Sequence, residues 1–177
     1  MLGLRFYFTQ PHEQSWPTDG TLDWLWPAAE RAGLPVALAA ASFLPVVGQI
    51  AERHPGLRLI VDHMGVPRAS QGEASYRNLP QLLALANHPN VAVKATGQAG
   101  YALDDYPFRS IHQPLRQLYD AFGARRMFWG TDITRMTCAG GNASRFTEEL
   151  PWLTGQDLEL VMGQAFCDWI GWDVAAG

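Results

Sequence analysis

Two polar tips, each closing an apolar run, carry the groups in this chain best placed to do chemistry. The first run is Leu57-Arg58-Leu59-Ile60-Val61-Asp62-His63-Met64-Gly65, and the second is Arg126-Met127-Phe128-Trp129-Gly130-Thr131-Asp132. Short apolar runs bounded by turn residues read as buried strands. In parallel α/β architectures the carboxyl ends of the strands converge on one mouth, where reacting groups gather. An imidazole and a carboxylate delivered there can share a proton or act on one substrate. Asp132, beyond a Trp-Gly pair, is the general-base or metal-ligand candidate, and His63 makes the pair specific.

Positioning these tips requires a sheet of parallel strands. Five strand-like runs are legible: Leu4–Phe8, Leu34–Ala40, Leu57–His63, Val91–Thr96 and Arg126–Asp132. Helical stripes lie between them. Leu79, Leu82, Leu83 and Ala86 repeat at helical spacing, as do Val46, Val47, Ile50 and Ala51 behind Pro45. Leu158, Val161, Met162, Ala165 and Trp169 form a last stripe that Gly171 can end. A helix through Leu22, Leu25, Trp26 and Ala29 must start, kink or break at Pro27. Strand starts at 4, 34, 57, 91 and 126 have the spacing of βα units, so the chain reads as one α/β domain over residues 1–177. Two architectures fit that periodicity. One is about five units of a (β/α)8 barrel, whose full complement is roughly 250 residues. The other is an open doubly wound sheet, which should carry a phosphate loop at its switch point, and no such motif is present.

Strand direction then sorts the polar residues. His54 and His88 precede strands and fall at the end away from the tips, as helix caps. His12 and His112 follow strands and join the mouth side as possible substrate contacts. Alternation groups Arg5 with Tyr7 and Thr9, and Lys94 with Ala92 and Thr96, on the face toward the lumen. Cations directed there need a partner. They could form an internal ion pair with Asp132 or hold a substrate carboxylate. With His63 inward, alternation turns Asp62 outward, into a structural role.

Composition narrows the function classes. Of 177 residues, 47% are hydrophobic and only 17% charged, which suits a folded enzyme-like body and argues against disorder. A net charge of −4 without a basic cluster speaks against nucleic-acid binding. No apolar run approaches the roughly 20 residues that span a bilayer. Cys138 and Cys167 have no metal or disulfide spacing and read as free thiols of a cytoplasmic protein. The Gly-rich stretch Cys138–Asn142 reads as a loop on the mouth side.

Three segments together resemble the amidohydrolase-2 family: Leu59-Ile60-Val61-Asp62-His63-Met64-Gly65, Asn90-Val91-Ala92-Val93-Lys94-Ala95-Thr96-Gly97 and Met127-Phe128-Trp129-Gly130-Thr131-Asp132. The Asp-His-Met-Gly tip is similar to the 2-pyrone-4,6-dicarboxylate lactonase branch. The resemblance implies a TIM-type barrel that drives water against a lactone or ester carbonyl, or in some relatives a decarboxylase. It implies His63 as metal ligand or carbonyl-polarising group and Asp132 as metal ligand or proton acceptor, with Arg5 and Lys94 anchoring the carboxylates of a small molecule; Tyr7 and His12, by their place on the mouth side, are further substrate-binding candidates. A divalent ion such as Zn²⁺ would lower the pKa of its bound water. Without a metal, Asp132 would be the direct base.

The chain departs from the family pattern in having no His-x-His pair, and in having Ala39 where a strand often ends in His. One His and one Asp fall short of the three protein ligands of a catalytic zinc. These departures suggest the C-terminal part of a barrel lacking its first strands, with little activity of its own. The alternative is a degenerate barrel that binds without catalysis. An open barrel of the first kind leaves two strand edges and an apolar lumen exposed, which predicts poor solubility or pairing with another chain, a second copy included.

Overall fold

A computed structural model of the chain describes residues 2–132 and 145–173. Five strands alternate with helices: β1 (Leu4–Phe6), α1 (Leu25–Arg31), β2 (Val36–Leu38), α2 (Leu44–Arg53), β3 (Leu59–Val61), α3 (Leu79–Ala84), β4 (Val91–Thr96), α4 (His112–Phe122) and β5 (Met127–Gly130). Two short helices follow, α5 (Gly155–Glu159) and α6 (Ala165–Ile170), joined by a wide turn over Leu160–Gln164. The strands are shorter than the apolar runs because each run bends away at its tip. Pro27 falls in the first turn of α1, where a missing N–H breaks no helical bond, so it starts the helix. Gly171, at φ 71, ends α6 as the sequence suggests.

All four strand pairs are parallel, and the strands lie side by side in chain order, β1-β2-β3-β4-β5. This order separates the two architectures. A doubly wound sheet reverses direction at a switch point, whereas a barrel adds each strand beside the last. The sheet is a five-strand arc of barrel type.

The register divides side chains between two faces. Val36, Leu59, Val61, Val91, Val93 and Met127 form a face with no exposure at all. Arg5, Ala37, Ile60, Ala92, Lys94 and Phe128 are aligned on the other, the face that lines the interior of a closed barrel. That inner face is not left bare, contrary to expectation. Phe128 is buried beneath α6, its ring 5.5 Å from Phe166 and 5.9 Å from Trp169. An aromatic helix thus replaces water over much of the apolar part of this face.

The strand-start end is tied down by side chains bonded to backbone. Asn90 Nδ2 donates to the carbonyls of Ala51, His54 and Leu57. Arg126 donates to those of Ala86, His88 and Val91, and Arg58 to those of Gly33 and Trp169. These bonds satisfy carbonyls where helices end and strands begin. His54 caps α2, with its ring 3.1 Å from Glu30, and His88 also sits at this end.

Candidate functional site at the strand tips

The polypeptide leaves β3 through a turn over Asp62–Gly65 in which His63 and Met64 both adopt left-handed backbone, φ 51 and 57. Two consecutive non-glycine residues there carry a conformational cost, of the kind that concentrates at functional sites. The turn interrupts strand alternation, and both polar side chains of the tip are buried. Asp62, two positions beyond Ile60, continues the inner face. His63 is swung toward β4. The outward placement of Asp62 is therefore corrected: alternation holds only while the backbone stays extended.

Asp62 anchors the two cations. Arg5 Nε donates to Oδ2 at 2.7 Å, and Lys94 Nζ lies 3.0 Å from Oδ1. The internal ion pair inferred from the sequence exists, but its anion is Asp62 rather than Asp132. Partial burial works against the Arg5 charge, yet the hydrogen bond and charge of Asp62 outweigh it and hold the guanidinium above its ordinary pKa.

His63 stands at the centre. Its Nδ1 is 2.5 Å from Thr96 Oγ1 and 3.4 Å from Asp132 Oδ2. Its Nε2 is 3.2 Å from an Arg5 guanidinium nitrogen and 3.3 Å from Tyr7 Oη. A guanidinium can only donate, so this arrangement assigns Nε2 the acceptor role and places the ring proton on Nδ1. Thr96 was grouped with Lys94 by alternation, but its role as a partner of the imidazole had no signal in the sequence. Asp132 is also left-handed, at φ 50, just past β5. Gly97 makes room for it: a Cβ there would lie 3.2 Å from both Asp132 Oδ2 and Tyr101 Oη. A Cβ on Gly130 would come within 2.7 Å of the Thr96 methyl, so the two glycines allow β4 and β5 to deliver their tips to His63.

Two cavities meet at this imidazole. One, of about 270 Å³, is lined by Arg5, His63, Lys94, Thr96, Asp132 and Phe166, among others. The second, of about 420 Å³, lies between the tips of β1, β2 and β3 and includes Tyr7, Ser42, Asp62, His63, Arg68 and Arg77. His63, Asp132, Arg5, Lys94 and Tyr7 are thus brought together. His12 is not: it is exposed, with its ring edge-on to Trp16, and it lines neither cavity. His112 bonds the Pro107 carbonyl instead of entering the site. The Cys138–Asn142 loop lies outside the described residues.

Among the described residues the donor set does not fit a metal ion: no three His, Cys, Asp or Glu side chains cluster. Of the two candidate ligands, His63 presents both ring nitrogens to other partners: Nε2 faces a guanidinium and Nδ1 faces a hydroxyl. A cation beside the imidazole lone pair opposes a second cation there.

The amidohydrolase family model matches residues 2–175. The chain belongs to that family. An L-fucono-1,5-lactonase of Burkholderia ambifaria is 32% identical over 104 residues, which are 59% of this chain and 36% of that protein. Among solved structures, a zinc-bound amidohydrolase from Burkholderia multivorans superposes with a TM-score of 0.78 at 20% identity, over 96% of this chain and 64% of that one. A candidate 2-pyrone-4,6-dicarboxylic acid hydrolase from Pseudomonas putida gives 0.69 at 23% identity, over 98% and 64%. At these identities the superpositions speak to fold alone. The chain spans about a third of the curated lactonase and less than two thirds of either solved structure.

Proposed function

We propose that the mouth around His63 serves the attack of water on a lactone or ester carbonyl in a carboxylate-bearing small molecule. The observation that carries this reading is the convergence of a carboxylate, an imidazole and a guanidinium on one cavity: Asp132 lies 3.4 Å from one ring nitrogen of His63 and Arg5 3.2 Å from the other. Family membership and the lactonase name of the curated relative support it.

In this scheme Asp132 takes the proton of the attacking water and returns it to the alkoxide oxygen released when the acyl C–O bond breaks. His63 Nδ1, closest to Thr96 Oγ1, also lies 3.4 Å from Asp132 Oδ2 and helps hold that carboxylate toward the cavity. Arg5 spends one N–H on Asp62 and one on His63. Its side chain is 44% exposed, so its remaining donors can meet the oxygen on which negative charge develops. Tyr7 adds a hydroxyl beside them. Carbonyl polarisation thus passes to Arg5 and Tyr7, because Nε2 of His63 is an acceptor. No step runs through a metal, for which the described donors are not suited.

The test is hydrolysis of a panel of small lactones by the purified chain and by Asp132→Asn. Loss of the general base should cut turnover by roughly 10²–10⁴-fold. Equal turnover by the variant would sink the scheme. A second reading, binding without turnover, is favoured by the engagement of both His63 nitrogens. It predicts ligand binding with no product from either protein.

A further inference from the structure

Arg5 and Lys94 are the cations that the sequence offers for substrate carboxylates, but both are already engaged by Asp62, whose side chain is fully shielded from water. The larger cavity supplies a different pair. Arg68 and Arg77 line it together with Tyr7 and His63, and both arginines are exposed. Among the described residues, no hydrogen bond or ion pair engages either guanidinium. Asp62 is the one acidic side chain in that lining, and its charge is taken up by Arg5 and Lys94.

The segment bearing the two arginines is pinned. Ser70 bonds the Pro67 carbonyl through Oγ at 2.6 Å, fixing the turn that contains Arg68. Asn78, next to Arg77, donates to the carbonyls of Ala41 and Gly65, tying the segment to the tips of β2 and β3. Arg77 is therefore held beside the same turn that carries His63.

We propose that Arg68 and Arg77 form the subsite for the substrate's carboxylate, in the larger cavity that His63 also lines. Guanidinium groups match carboxylates with two parallel N–H donors, and cations with no internal partner lose no existing contact on binding one. The ligand is then a compact molecule with a carboxylate at one end and the reacting carbonyl at the other, placed where the two cavities meet. This assignment rests on the hydrolase reading for the second half of that description only; the carboxylate subsite stands or falls by itself.

The test is calorimetric titration of the purified chain with citrate and with its uncharged trimethyl ester, compared with Arg68→Gln, Arg77→Gln and the double variant. Citrate should bind and the ester should not. Each single variant should weaken citrate binding by roughly ten-fold, and the double variant should abolish it. Unchanged thermal unfolding of these surface variants would establish that the loss is local. Citrate affinity unaffected by the double variant, no citrate binding at all, or equal binding of the ester would overturn the proposal. Binding lost in the double variant while no lactone is ever hydrolysed would uphold the subsite and sink the hydrolase reading instead.

Discussion

A carboxylate that receives a guanidinium on one oxygen and an ammonium on the other holds in place two cations that otherwise repel. Asp62 does this while 2% exposed. Asp62→Asn keeps the shape but leaves Arg5 and Lys94 uncompensated. Breaking such a group costs 3–5 kcal/mol when every partner is buried, and Arg5 is reached by solvent, so a loss of about 2–3 kcal/mol is expected. Urea unfolding measures it, and an unchanged midpoint and slope would show that Asp62 bears no such load. The same residue marks where reading by alternation stops. The chemistry of His63 and Asp132 was legible because each ends an apolar run. The inward turn of Asp62 was not, because His and Met carry no sequence mark of left-handed backbone such as glycine gives. Arg68 and Arg77 were missed for another reason. They sit in a turn-rich segment, where nothing in residue spacing tells a surface arginine from one at a cavity rim.

At the scale of elements, strands and crossovers followed from spacing, while their ends did not. The last helical stripe looks continuous in sequence. The wide turn at Leu160–Gln164 interrupts it around Gly163, separating α5 from α6 and letting α6 lie over the inner face. Connections between elements carry charge as well. Glu30 of α1 accepts the Gly56 N–H at 2.7 Å and meets the His54 ring at 3.1 Å, joining α1 to the turn behind α2. The Gly56 N–H, with help from His54, holds the Glu30 carboxyl below its ordinary value of 4.5. A depressed native pKa contributes stability that is complete above the unfolded value and disappears as pH falls through the native one. Glu30→Gln should therefore melt earlier than the unmodified chain near neutrality, with the two curves converging in acid below pH 4.5. Parallel melting curves at all pH values would count against this linkage.

For the whole molecule, the chain-ordered parallel sheet leaves β1 and β5 each paired on one side only within the described structure. Unpaired backbone at a sheet edge is a template for another strand. Sedimentation at increasing concentration should show self-association, and a monomer throughout would argue that the edges are protected. Among the described residues no helix is long and apolar enough to cross a membrane. Residue spacing alone carries no direct mark of strand order. The barrel arc was favoured there by the missing phosphate loop and by family resemblance, and the register supplies the geometric reason.

That strand order also governs how the chain must fold. With every pair in the described sheet parallel, even the nearest in sequence, Val36 with Leu59, forms only after the intervening helix has been brought round. Each of the other pairings repeats that closure over a longer loop. Loop-closure entropy must be overcome before the contacts reward it, which makes parallel sheets slow to assemble. The arrangement that gathers five strand tips at one mouth thereby lengthens the time for which their edges stay open to other chains.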